Sequence, residues 1–288
     1  MKHKYISIST ILSLCLFAFH SCHFPTSTTT QKAEPPQQQT NTHPYPHRLE
    51  LPEIRDQNWL IQHTYYALEY DTAQRHSIWV AYVFNAHYNQ KNTTRTNAWT
   101  FDPLIPRQYQ SLSSPSQTFP GYDRGHLIAS EDRVFSEKAN RETFYFSNVS
   151  PQLGWFNQQI WANLESAVRK WAQADDCDTL YVVTGGAINP GIEIIGKLET
   201  RNNVTIPKYY FKALVKRKGD TFDGIAFWLE NKRHESTKIT HEYSMTIREL
   251  EQLTGINFFP NLKYAIPSKP KLEDLVETTR DTTKWRLF

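Results

Sequence analysis

Five short stretches combine β-branched and aromatic residues between turn-forming segments: "SIWVAYVF" (77–84), "TFYFSNV" (143–149), "TLYVVTG" (179–185), "YYFKALVK" (209–216) and "FDGIAFWL" (222–229). Such runs predict strands. The polar "KRKGD" between the last two reads as a solvated hairpin turn. A different period begins at Asn157. From there Ile160, Trp161, Leu164, Val168 and Trp171 recur at spacings of three and four, which predicts a helix of about four turns with one buried stripe. "TIRELEQLTG" (246–255) predicts a second amphipathic helix ended by Gly255. Strands that mostly follow one another, with helices inserted singly, predict a mixed α+β fold with a largely antiparallel central sheet.

The start of the chain follows neither period. Lys2 and Lys4 precede an apolar run from Ile6 to Phe19, too short to span a bilayer and suited to the core of a signal peptide. The run ends in "FHSC", which resembles a bacterial lipoprotein signal with cleavage after Ser21, although Phe19 and His20 depart from the usual residues there. On this reading residues 1–21 are removed and Cys22 is acylated. Residues 22–47, rich in Thr, Gln and Pro, offer almost nothing to bury and are expected to form a flexible tether. Cys15 would leave with the signal and Cys22 would carry lipid, so Cys177 remains alone and no internal disulfide is expected. Stability must then come from a core, which 39% hydrophobic and 14% aromatic residues can supply. A single domain is expected over 48–268. Residues 269–288, polar until "WRLF", form an extension that either packs on it or acts as a tail.

Charge narrows the list of partners. The formal net charge is +3, and removing Lys2 and Lys4 leaves +1, too little for a broad basic field. Any polyanion must be met locally. Familiar sites can be struck off. "GIEIIGKL" (191–198) has P-loop spacing, yet Leu198 stands where a hydroxyl must hold Mg²⁺ and isoleucines fill the loop. There is no G-x-S-x-G elbow and no H-E-x-x-H, and His234 with His241 does not make a zinc site.

"DRGH" (123–126) places Arg124, Gly125 and His126 together in a chain with only 10 glycines. Asn157, at the first turn of the long helix, reads equally as a helix cap or as an amide aimed at a ligand. Glu165 lies eight residues on, about 12 Å along the axis, too far to share an ion with Asn157 except through water. Arg169 by itself reads as an i,i+4 partner of Glu165.

Taken together, "DRGH", "SNVSPQ" (147–152) and "NQQIWANLE" (157–165) resemble, in order and spacing, the signature of the DNA/RNA non-specific endonucleases, enzymes of the ββα-metal finger type. "RTNAWTFDP" from Arg95, "YVVTGG" and "IPKYYFKAL" extend the similarity, with one residue more at "RTNAW" than the usual pattern. The resemblance implies a ββα-metal finger active site beside a sheet flanked by helices. It implies His126 as general base, Asn157 as the direct ligand of Mg²⁺, with Mn²⁺ as a substitute, and Glu165 as holder of a metal-bound water. Arg124, Arg169 and Arg95 would bind phosphate, and Asn148 would fix the geometry beside His126.

The expected activity is Mg²⁺-dependent hydrolysis of DNA and RNA phosphodiesters to 5′-phosphate ends by an exported, lipid-anchored protein. A homodimer is compatible with the resemblance. Two other readings stay open: a catalytically silent nucleic-acid-binding lipoprotein with the same fold, and a hydrolase of other phosphodiesters.

Overall fold

The longest apolar runs are buried on both faces, the position of central strands in a sheet covered on two sides. In the computed structural model, which describes residues 48–199 and 202–287, these runs are neighbours in one sheet. The signal segment 1–21, Cys22 and the tether 22–47 lie outside the described residues.

The strands are β1 (Leu60–Gln62), β2 (Ala67–Asp71), β3 (His76–Asn85), β4 (Asp123–His126), β5 (Val149–Gln152), β6 (Thr179–Gly186), β7 (Ile194–Leu198), β8 (Val204–Pro207), β9 (Tyr209–Lys218), β10 (Thr221–Glu230) and β11 (Ser244–Met245). The helices are α1 (Glu137–Glu142), α2 (Ala162–Ala172), α3 (Ile247–Thr254) and α4 (Leu272–Thr278). Seven strands in the order β1-β2-β3-β6-β9-β10-β11 form an antiparallel sheet, and β4-β5 and β7-β8 form two-stranded ribbons. The mixed α+β fold with a largely antiparallel sheet is therefore observed. The hairpin at "KRKGD" joins β9 to β10 with Gly219 at φ +56°, and the P-loop look-alike contains strand β7.

Strand parity divides the sheet into two working faces. Trp79, Ala81, Val83, Val183, Phe211, Ala213 and Val215 pack with Ile247 and Leu250 of α3 and with Leu272 and Val276 of α4. The alternate residues Tyr82, Thr184, Tyr210, Lys212 and Phe227 face the other way, toward α2 and the β4-β5 ribbon. There Tyr210 gives its hydroxyl hydrogen to Pro151 O at 2.8 Å, and Phe227 stacks on Trp171.

The 143–149 stretch is not a strand. Apart from a single bridge of Tyr145 to Thr100 it forms no ladder, the chain turns through a 3-10 segment (Phe146–Asn148), and strand β5 begins only at Val149. Phe144 and Phe146 are fully buried, so tertiary packing uses the same side chains that suggested a ladder. The long helix also differs from expectation: a π-helical segment, Phe156–Trp161, precedes α2, although Ile160, Trp161, Leu164, Val168 and Trp171 are all buried as the stripe requires.

Residues past 268 pack onto the same core. Trp285 is fully buried, edge-on to Trp171 at 5.2 Å, while Trp171 Nε1 donates to Arg286 O at 2.7 Å. Cys177 is free and half-buried, its thiol pushed up to about 12 by burial.

α3 begins with a capping box: Glu249 N donates to Thr246 Oγ1 at 3.1 Å and Thr246 N to Glu249 Oε2 at 2.7 Å. Gly255 ends it at φ +64°. Thr246→Ala should lower the unfolding free energy by about 1 kcal/mol in urea denaturation without changing the m-value.

Candidate active site

β4 and β5 pair Asp123 with Gln152, Arg124 with Pro151, Gly125 with Ser150 and His126 with Val149, and the chain then enters the π-α2 helix. This is a strand-strand-helix unit. It is anchored to the main sheet by a buried chain in which His76 Nε2 meets Ser150 Oγ at 2.6 Å and Ser150 meets the Tyr210 hydroxyl. Gly125 answers a local need for space. A Cβ there would fall 2.1 Å from Gln152 Oε1 and 2.6 Å from its Cγ, and Gln152 is fully buried.

Strand alternation sends Arg124 and His126 to the same side. Both meet Trp99: the guanidinium of Arg124 lies 4.0 Å over its ring, and the imidazole of His126 is 4.9 Å away. Phe144 stands edge-on to His126 at 5.0 Å, and Arg95 lies over Phe144 at 4.9 Å. Arg95 is thus brought to the site despite the additional residue in "RTNAW". A turn with Asn97 at φ +50° takes up the slack, and Arg95 Nε donates to Asn97 Oδ1 at 2.8 Å while Nη1 donates to Ser130 Oγ at 2.8 Å. Arg124 Nη1 donates to Pro115 O at 3.0 Å.

His126 Nε2 is buried and has no hydrogen-bond partner. Burial, then the positive charges of Arg95 and Arg124, depress its pKa to about 3, so the ring is a neutral base at ordinary pH. In an NMR titration of the free protein, the His126 ring resonances should stay in their neutral form from pH 8 down to pH 5. Arg95→Gln should shift that titration toward higher pH. The sign also fixes a stability effect. The unfolded imidazole takes its proton near pH 6.5, so this residue's contribution is present above that pH and is lost as pH falls toward 3.

Asn157 is not a cap. It lies inside the π segment, and its Nδ2 donates to Asp123 Oδ2 at 2.9 Å, the oxygen that also accepts from Gln158 Nε2 at 2.8 Å. The widened turn therefore places an amide beside a carboxylate, a geometry often found at working sites. Asp123 enters no ion pair among the described residues, and no group of three or more His, Cys, Asp or Glu among them could cage a metal. A hard cation that keeps most of its waters suits this pair, since one amide oxygen and one carboxylate whose charge is not offset make up the usual protein share of a Mg²⁺ site.

Glu165 is half-buried, and desolvation raises its pKa, opposed by Lys212 and Arg169. Its i,i+4 pairing with Arg169 is not formed. Arg169 Nη1 instead donates to buried Asp132 Oδ1 at 2.8 Å, and Asp132 also accepts from the Tyr82 hydroxyl. Asn148, expected beside His126, is fully occupied there. Its Oδ1 accepts from Ile128 N at 2.9 Å, and its Nδ2 donates to Ile128 O at 3.0 Å and Thr143 O at 2.8 Å. It braces the backbone that leaves His126, in place of the alternative of an Asx turn before Pro151. Two further residues belong to the site without a sequence signal of their own, Asp132 and Lys212, while Asp123, which opens "DRGH" with no role implied by the resemblance, gains one through its bond to Asn157. Lys212 is fully buried beneath the site with its ammonium 4.5 Å from the Trp161 ring and 3.2 Å from Thr184 Oγ1.

Comparison with known proteins points the same way as this geometry. Residues 52–265 match the profile of a family described as DNA/RNA non-specific endonuclease. The chain is 28% identical over 204 residues to mitochondrial endonuclease G of Bos taurus, covering 68% of each chain. It is 30% identical over 227 residues to a nuclease of Nostoc sp., covering 74% of this chain and 78% of the relative. A chain in the solved EndoG/EndoGI complex superposes with TM-score 0.61 at 26% identity, covering 70% of this chain and 86% of the other.

Proposed function

Because the chain belongs to the DNA/RNA non-specific endonuclease family and is a phosphodiester-hydrolysing nuclease, we propose that it cuts DNA and RNA to 5′-phosphate ends in a Mg²⁺-dependent reaction with His126 as general base. The observation that carries this reading is the buried, unpartnered, neutral Nε2 of His126 between two guanidinium groups.

The roles follow from what each side chain can reach. Arg95 and Arg124 bind non-bridging phosphate oxygens, as planar guanidinium forks do well. Their charge, which disfavours an imidazolium in the free protein, is offset once an anionic phosphate lies between them. His126 then becomes a stronger base when substrate is bound and takes the proton of the attacking water at Nε2. Asn157 would hold Mg²⁺ through its amide oxygen, with Asp123 beside it and Glu165 holding one of the ion's waters. When bound, the ion supplies Lewis-acid stabilisation of charge on the phosphate and the departing oxygen. Asn148 keeps His126 in place. Arg169, fixed on one edge by Asp132, offers its remaining N–H groups to phosphate. Export and attachment through acylated Cys22 complete the proposal, supported by the basic start, apolar run and "FHSC" of the sequence.

The test is cleavage of supercoiled plasmid and single-stranded RNA with Mg²⁺ or with EDTA. Cutting of both that disappears with EDTA is expected. A folded protein that binds DNA and leaves both substrates intact with Mg²⁺ or Mn²⁺ would instead be a binding protein.

A further inference from the structure

Trp155 is the only one of the eight tryptophans that is exposed, with 55% of its surface in water. It stands at the entry to the π segment, two residues before Asn157. Below it opens a groove of about 440 Å³ lined by Trp155, Gln159, Ile160, Arg233, His234 and neighbouring residues. The Arg233 guanidinium lies 4.5 Å from the Trp155 ring and enters no ion pair among the described residues. The groove is built in advance. Asn231 Oδ1 accepts from Leu153 N at 2.9 Å and Asn163 Nδ2 donates to Thr237 O at 2.8 Å, so the segment after β10 is tied to both ends of the groove's helical wall. His234 is held in turn by Glu230 O at 2.8 Å.

We propose that Trp155 and Arg233 form a stacking subsite for an unpaired nucleotide of the substrate, next to the cleavage centre. This rests on the nuclease reading above and adds a preference to it. An exposed indole offers a flat face that any base can stack on, and the Arg233 guanidinium over the same ring brings a positive charge to the adjoining phosphate, the combination by which single strands are held without reading sequence. Glu235 on the rim disfavours phosphate at its end, which directs the backbone past Arg233 and Gln159. A duplex keeps its bases stacked on one another and cannot use such a platform, so the subsite favours single strands or frayed ends.

The experiment measures binding of a labelled single-stranded octanucleotide and of a dinucleotide to the full chain carrying His126→Ala, so that substrate survives. Adding Trp155→Ala should weaken octanucleotide binding about tenfold and leave the dinucleotide unchanged. Trp155→Phe should retain most of the affinity. Arg233→Gln, on a different element, should weaken binding and reduce the salt slope of log Kd by a little less than one. In the active chain, Trp155→Ala should raise KM for the octanucleotide and spare kcat. If octanucleotide affinity is unchanged in both Trp155→Ala and Arg233→Gln, the proposal is overturned. If Trp155→Ala alters only self-association in sedimentation, this face is a protein contact and the proposal likewise fails. A wild type that cuts nothing would sink the nuclease reading alone, because the binding comparison still decides the subsite.

Discussion

Replacing His126 with alanine should slow cleavage of plasmid DNA and single-stranded RNA by about 10²–10⁴-fold, the usual worth of a positioned general base. The side chain is nearly buried between Trp99 and Phe144, and its Nε2, buried and without a hydrogen-bond partner, is the nitrogen proposed to take the proton. Alanine removes that nitrogen. It leaves both arginines anchored, Arg95 on Ser130 and Asn97 and Arg124 on Pro115, so phosphate binding should survive. The variant should therefore lose kcat and keep KM within a few-fold, measured on a short fluorogenic oligonucleotide. Retention of more than a tenth of the wild-type kcat would assign the base to another group.

Asn157→Ala should fail in a different way. Loss of residues that merely support a metal ligand costs about 10–100-fold in affinity or activity, so if Asn157 is the ligand proposed above, its loss should cost at least about a hundredfold at fixed Mg²⁺. It should also raise the Mg²⁺ concentration needed for half-maximal rate, which His126→Ala should not. Asp123 makes the contrast informative. With the Asn157 amide gone, Asp123 keeps only Gln158 of its two amide partners, and excess Mg²⁺ should restore part of the rate. An unchanged Mg²⁺ requirement in Asn157→Ala would remove that residue from the metal site.

Much of this protein is legible along its sequence, and the limits are physical. β3, β6, β9 and β10 are readable because central strands need continuous apolar runs, and the stripe from Ile160 to Trp171 is readable because one helix face must be buried. The stretch 143–149 misleads because buried aromatics serve packing as readily as pairing. The motifs "DRGH" and "NQQIWANLE" locate the site, but its connections are set by register between distant segments. Asp123 meets Asn157 across 34 residues, Asp132 meets Arg169 across 37, and Lys212 approaches Leu127 O across 85. No local spacing encodes such pairs. Lys212 becomes intelligible only once strand parity places it with Thr184 on the face beneath the site.

The bond from Trp171 to Arg286, with Trp285 seated against the same indole, has a consequence in time as well as in space. A ribosome makes the chain from its amino end, so the helix that bears Glu165 and Arg169 is synthesised more than a hundred residues before the segment that seats its far end. While the chain is nascent, its arginines and His126 already exist as residues, but the wedge behind α2 does not. Trp285 and Arg286 thus close the scaffold of the cutting centre only after its other parts have been made, and a nascent copy shorter than these residues lacks that closure.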